Sequence, residues 1–220
     1  MYQKLARLHR SQKGITGLET AIILIAFVVV AAVFAYTAIS AGLFATQKSQ
    51  EAVYSGLREV QSTMEMRGNV VAYKGDANIS STVGKVEFTV SLVAKGKAID
   101  LTPNYVTAGG ALVTSGLENP TQISYYDQNV TIADAAWTLN FIGKSTDDYI
   151  LEENEKAVIT VWLHTYDGSA WAAGSNPPFL AANNVGTNHT FTLEVKPPAG
   201  AVLTIERTMP GYLDTVMDLR

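Results

Sequence analysis

A chain of 220 residues that is 47% hydrophobic and only 16% charged is too apolar to be disordered throughout. Seven prolines and 17 glycines exclude collagen-like and proline-rich classes, and the lack of any cysteine excludes disulfide scaffolds, zinc–thiolate and iron–sulfur sites and cysteine nucleophiles. A formal net charge of −4 argues against a nucleic-acid partner.

Charge and hydropathy are partitioned along the chain. Residues 1–14, MYQKLARLHRSQKG, carry Lys4, Arg7, Arg10 and Lys13 and no acid, which leaves the rest of the chain at −8. No charged residue occurs from Thr20 to Gln47, and Ala21 to Ile39 is apolar on every side. A helix of that kind belongs in lipid or inside other protein. Its 19 central residues reach roughly 28 Å, the thickness of a bilayer core. The basic flank predicts a cytoplasmic N-terminus and an exported remainder.

Helix-compatible sequence continues through Gln47–Val60 to about Arg67, with Gly68-Asn69 as the stop. Counted from Ile15, that makes a rod of roughly 80 Å. Large apolar side chains gain about 1.5–3 kcal/mol each on burial, and no single remaining domain can cover such a rod. Copies of the same helix can, because Ala31, Ala32, Ala35, Ala38, Ala41 and Gly42 allow close backbone approach.

The sequence beyond the helix alternates as strands do. In Gly84–Gly96, Val86, Phe88, Val90 and Leu92 share one face and Glu87, Thr89 and Ser91 the other. Further strands are expected at Ala98–Thr102, Gln122–Tyr126, Asn129–Ala133, Ala136–Ile142, Ala157–Thr165, His189–Lys196 and Val202–Thr208. Gly109-Gly110, Glu118-Asn-Pro120 and Ser175-Asn-Pro-Pro178 are among the separators. The fold class is α+β: a long N-terminal hydrophobic helix followed by an immunoglobulin-like antiparallel β-sandwich.

The run Arg10-Ser-Gln-Lys13-Gly14, followed by Ile15-Thr-Gly17-Leu18-Glu19-Thr20-Ala-Ile-Ile-Leu-Ile-Ala-Phe27, resembles the class III signal peptide of type IV pilins and archaellins, the archaeal flagellins. The tail, Phe191-Thr-Leu-Glu194-Val-Lys-Pro197-Pro198 through Arg207-Thr-Met-Pro210, is similar to the archaellin C-terminal pattern. The resemblance implies that a prepilin-type signal peptidase cuts between Gly14 and Ile15 while the precursor is in the membrane. Residues 1–14 are then a leader, 15–68 a helix that becomes filament core, and 69–220 an outer β domain. It also implies an assembly role for Glu19, whose carboxylate would neutralise the free Ile15 amine of a neighbouring copy. A place in the first helical turn suits Glu19 to the helix dipole as well.

Asn78-Ile-Ser80, Asn129-Val-Thr131 and Asn188-His-Thr190 are N-glycosylation acceptor sequences on a chain expected outside the cell. Catalytic motifs are missing: His9 lies in the leader, His164 and His189 sit in separate strands, and there is no HExxH, nucleophile elbow or Walker loop. No enzyme activity and no organic cofactor are expected. The acidic cluster Asp147, Asp148, Glu152 and Glu153 offers hard oxygen ligands for Ca²⁺ but lacks EF-hand spacing, so a solvated loop is the alternative. Trp137, Trp162 and Trp171 are expected in core or intersubunit packing.

Three functions fit these residues. The first is a structural archaellin that polymerises with copies of itself, through the archaellum assembly machinery, into an extracellular motility filament. A second is an archaeal type IV pilin of an adhesion filament, which shares the leader. A third is a binding module on a single-span membrane anchor.

Overall fold

The computed structural model describes residues 2–61, 63–79, 82–93, 96–143, 145–146, 148–174, 178–180 and 185–220. The chain divides into two compact units, Met1–Ser55 and Gly56–Arg220.

The first unit is made by helix α1, Tyr2–Gln61, whose last residues belong to the second. Proline, the strongest helix breaker, does not occur before Pro103, so nothing interrupts the backbone ladder. Helix extends N-terminal to Ile15, into the expected leader, and stops earlier than the expected Arg67. Met64–Met66 leave the helical pattern because Met64 is only 3% exposed in the β core, where its strand pairs with Leu92, Ser91 and Val90. Tertiary packing overrides local helix compatibility there.

Among the described residues the strands are β1 (Met64–Met66), β2 (Val70–Lys74), β3 (Val83–Leu92), β4 (Ile99–Asp100), β5 (Tyr105–Ala108), β6 (Ala111–Thr114), β7 (Gln122–Tyr126), β8 (Thr131–Ile132), β9 (Ala136–Ile142), β10 (Ile150–Leu151), β11 (Lys156–Trp162), β12 (Thr165–Tyr166), β13 (Trp171–Ala172), β14 (Thr190–Lys196), β15 (Leu203–Thr208) and β16 (Val216–Leu219). A six-stranded sheet runs β16-β2-β3-β11-β9, with β1 also on β3, and a four-stranded sheet runs β15-β14-β7-β8. Hairpins β5–β6 and β12–β13 and the pair β4–β10 complete the set, all antiparallel.

The expected alternation holds over most of β3: Val86, Phe88, Val90 and Leu92 are buried and Glu87 and Thr89 part-exposed, but Ser91, expected on the outer face, is buried and accepts from Arg67 Nε at 3.0 Å. Phe191, Leu193 and Val195 do the same in β14. These inward residues of both sheets join Ile123, Tyr125, Ile159 and Ile205 in one buried cluster, the arrangement of a two-layer sandwich. Gly109 and Gly110 turn hairpin β5–β6 with φ of +60° and +88°, a backbone that favours glycine over side-chain-bearing residues.

Candidate functional site

The helix carries the most unusual surface of the chain. Gly17–Leu57 has a mean hydropathy of 2.8 in its most apolar stretch and none of that stretch is buried within the chain. Ile22, Leu24, Phe27, Val30, Phe34 and Ile39 are all more than half exposed, Phe27 by 73%, and they point in every direction around the axis. The three threonines within Gly17–Leu57 need no outside acceptor for their protons. Thr20, Thr37 and Thr46 donate to the carbonyl oxygens of Gly17, Phe34 and Gly42 at 3.0, 2.9 and 2.8 Å. The charged surface resumes at Lys48, whose Nζ lies 2.6 Å from Glu51. A helix that is apolar all round and satisfies these threonine hydroxyls itself is compatible with lipid and with a bundle of its own kind.

Gly14 and Ile15 lie within α1, so the expected leader and the apolar run share one helix. Glu19 is exposed on that helix at the edge of the uncharged stretch.

All three acceptor asparagines are exposed. Asn78 sits in a short 3-10 turn, Ala77–Ile79, where Asp76 accepts from both its backbone N–H (2.9 Å) and its side-chain amide (3.1 Å). Asn129 occupies the β7–β8 turn, its N–H donating to Asp127 at 2.7 Å. Asn188 precedes β14 in left-handed backbone, φ +54°. Asn129 and Asn188 lie close together at one end of the four-stranded sheet, because His189 Nε2 lies 3.1 Å from Asp127 Oδ2. Tyr125 Oη donates to the same oxygen at 2.8 Å. Burial works to raise the Asp127 pKa, but the hydrogen bonds from Asn129, Tyr125, Val130 and His189 outweigh it and hold the carboxyl below its ordinary value. Burial first, and the Asp127 hydrogen bond second, push the Tyr125 hydroxyl well up. The sequence offered no sign of this network, since 62 residues separate Asp127 from His189.

The described residues of the acidic cluster do not gather into a cation cage. Asp147 lies outside the described residues. Asp148 accepts from Ile150 N at 2.9 Å, Glu152 and Glu153 are exposed, and the buried Glu155 accepts from Glu152 N at 2.9 Å. The Asp148 and Glu155 carboxylates therefore hold turns, and among the described residues no three acidic or histidine side chains converge to hold a metal. His164 is fully buried with Nε2 3.4 Å from Thr82 Oγ1, and burial lowers its pKa. Trp137 is core. Trp162 and Trp171 form a cluster with Tyr166, rings 4.9–6.0 Å apart, and Lys85 lies over Trp162 and Tyr73.

Comparison with known proteins agrees with this architecture. The family model for archaeal-type flagellin matches residues 14–207. "Probable flagellin 1" of Archaeoglobus fulgidus is 39% identical over 218 residues, 97% of this chain and 98% of that one. "Probable flagellin 2" of the same organism is 34% identical over 211 residues, 93% of each chain. The archaeal flagellum of Methanospirillum hungatei strain JF1 superposes with a TM-score of 0.57 at 25% identity, over 92% of this chain and 98% of that one. With the helix and most of the β-sandwich inside the matched span, the chain belongs to the archaeal-type flagellin family, structural filament subunits and not enzymes.

Proposed function

We propose that the chain is made as a membrane-held precursor, cut between Gly14 and Ile15 by a prepilin-type peptidase, and passed by the archaellum assembly machinery into a homopolymeric motility filament on the cell surface. The observation that carries this is the helix: Gly17–Leu57 has the length and hydropathy to cross a bilayer, yet leaves its apolar surface uncovered within the chain. In lipid that surface is solvated, and on leaving lipid only other copies present an equal area to it. The β-sandwich, with its own core, faces the medium. Glu19 neutralises the new Ile15 amine of a neighbouring copy, so that neither charge stays alone in an apolar interior. Exposed Asn78, Asn129 and Asn188 accept glycans in a host that glycosylates exported chains.

Two measurements test this. Mass spectrometry of shed surface filaments should find this chain beginning at Ile15. A strain lacking the chain, and any paralogue, should lose swimming; continued swimming with lost surface attachment would assign the filament to adhesion instead.

A further inference from the structure

A sheet edge leaves a row of unpaired N–H and C=O groups, and soluble β proteins shield such rows with charge, proline, brevity or a covering segment. The edges β8, β15 and β16 follow that rule. Strand β8 is two residues long. Strand β15 carries Glu206 and Arg207, and Arg207 Nε donates to Leu219 O at 3.2 Å, tying this edge to β16. Strand β16 carries Asp218, which accepts from Asn69 at 2.9 Å.

Strand β9 departs from the rule in its second half. Near its start Asn104 takes over the edge, accepting from Trp137 N at 2.9 Å and donating to Ala135 O at 2.9 Å. Beyond that point the sequence Leu139-Asn-Phe-Ile142 holds no charge and no proline. Among the described residues no strand pairs with it on the side away from β11. Because Trp137 N–H faces away from β11, the two-residue alternation of an antiparallel strand turns the N–H and C=O of Leu139 and Phe141 the same way. The stretch lines a groove of about 260 Å³ whose other wall includes Gly143, Asp148 and Tyr149. Ile142 is 51% exposed, with Tyr149 and Ile150 also exposed.

We infer that Leu139–Ile142 is a contact between neighbouring copies of this chain, at which an extended segment of a second copy adds to the six-stranded sheet. The inference rests on the filament function proposed above. Four residues of edge and a shallow groove fall well short of the ~1,000 Å² that a specific stand-alone interface needs, so the surface does not retain a free partner from solution. It suits a partner already held alongside. Copies joined through their helices meet that condition, because tethering raises the effective concentration into the ~mM range without any new contact. Main-chain hydrogen bonds then supply the register that an apolar helix contact does not.

The chain's lack of cysteine makes single-cysteine labelling clean. Ile142→Cys in assembled filaments is expected to react with a thiol reagent about tenfold more slowly than in detergent-dispersed subunits, as a side chain covered by a neighbour does. Tyr212→Cys, at a side chain 72% exposed, should react alike in both. Equal rates at position 142 would overturn the contact. Ile142→Lys charges an exposed side chain without touching the core, so its subunits should melt as the unaltered ones do while its filaments come apart at about half the detergent concentration. Filaments of full resistance would also overturn it. Failure of the unaltered chain to build any filament would overturn the proposed function, and this contact with it.

Discussion

His164 is a histidine that folding takes fully out of water, and burial holds its pKa below the ordinary 6.5. Above pH 6.5 the ring is neutral whether the chain is folded or not. As the pH falls below 6.5 the unfolded chain binds a proton that the folded chain resists, so stability declines. A falling melting temperature between about pH 7 and pH 5, flattened in His164→Asn, is the expected outcome in scanning calorimetry. Asp127 acts in the same direction in a lower window. Its depressed pKa gives stability that is present above the ordinary 3.8 and lost as the pH drops through the folded value. Asp127→Asn should remove that lower step and cost about 1–3 kcal/mol, since Tyr125 and His189 lose a charged acceptor. At the leader, Gly14→Val should leave uncut precursor in the membrane fraction, visible as a larger band and no filaments. Normal filaments from that variant would refute the cleavage position.

At the scale of elements, the two kinds of surface fail in different ways. Val29→Lys puts an ammonium in the middle of the apolar helix, a cost of about 3 kcal/mol or more in lipid. Loss of filaments with an undisturbed β-sandwich is expected, checked by electron microscopy alongside circular dichroism. Gly84→Ala tests the sandwich instead: a Cβ there would come within 2.7 Å of the Trp171 ring. Hairpin β12–β13 should therefore lift and the melting temperature fall. How legible each element was follows from its physics. Helix α1 and strands β3 and β14 announced themselves, the first by an uncharged run and the others by strict two-residue alternation over seven residues or more. Strands β10, β12 and β13 are two residues long, too short for any period to show, whereas the equally short β4 and β8 fall inside the expected Ala98–Thr102 and Asn129–Ala133. Strand β1 was hidden because Met64-Glu-Met66 suits a helix equally well, and its partner on β3 lies far along the chain. Of the candidate site residues, the acceptor asparagines were readable from a local triplet. The turn-holding role of Asp148 depends on which backbone N–H it reaches, and only the folded loop decides that.

For the whole molecule, the governing fact is that one chain carries a covered core and an uncovered one. Inward residues of both sheets close the first within the β-sandwich. The second, along Gly17–Leu57, is left bare within the chain, and in the proposed filament other copies complete it. Assembly held by apolar area should survive salt that erases surface ion pairs. Filaments are expected to persist in about 1 M NaCl, where the screening length is ~3 Å, and to dissolve in detergent, as sedimentation would show. Thr20, Thr37 and Thr46 of the apolar run add a mechanical consequence. Each spends its proton on a carbonyl in its own turn of helix, so none of those protons latches onto the next molecule. Where proposed neighbours meet at those three positions, no donated proton resists the roll or slide of one rod against the next, which leaves a filament room to give under torsion.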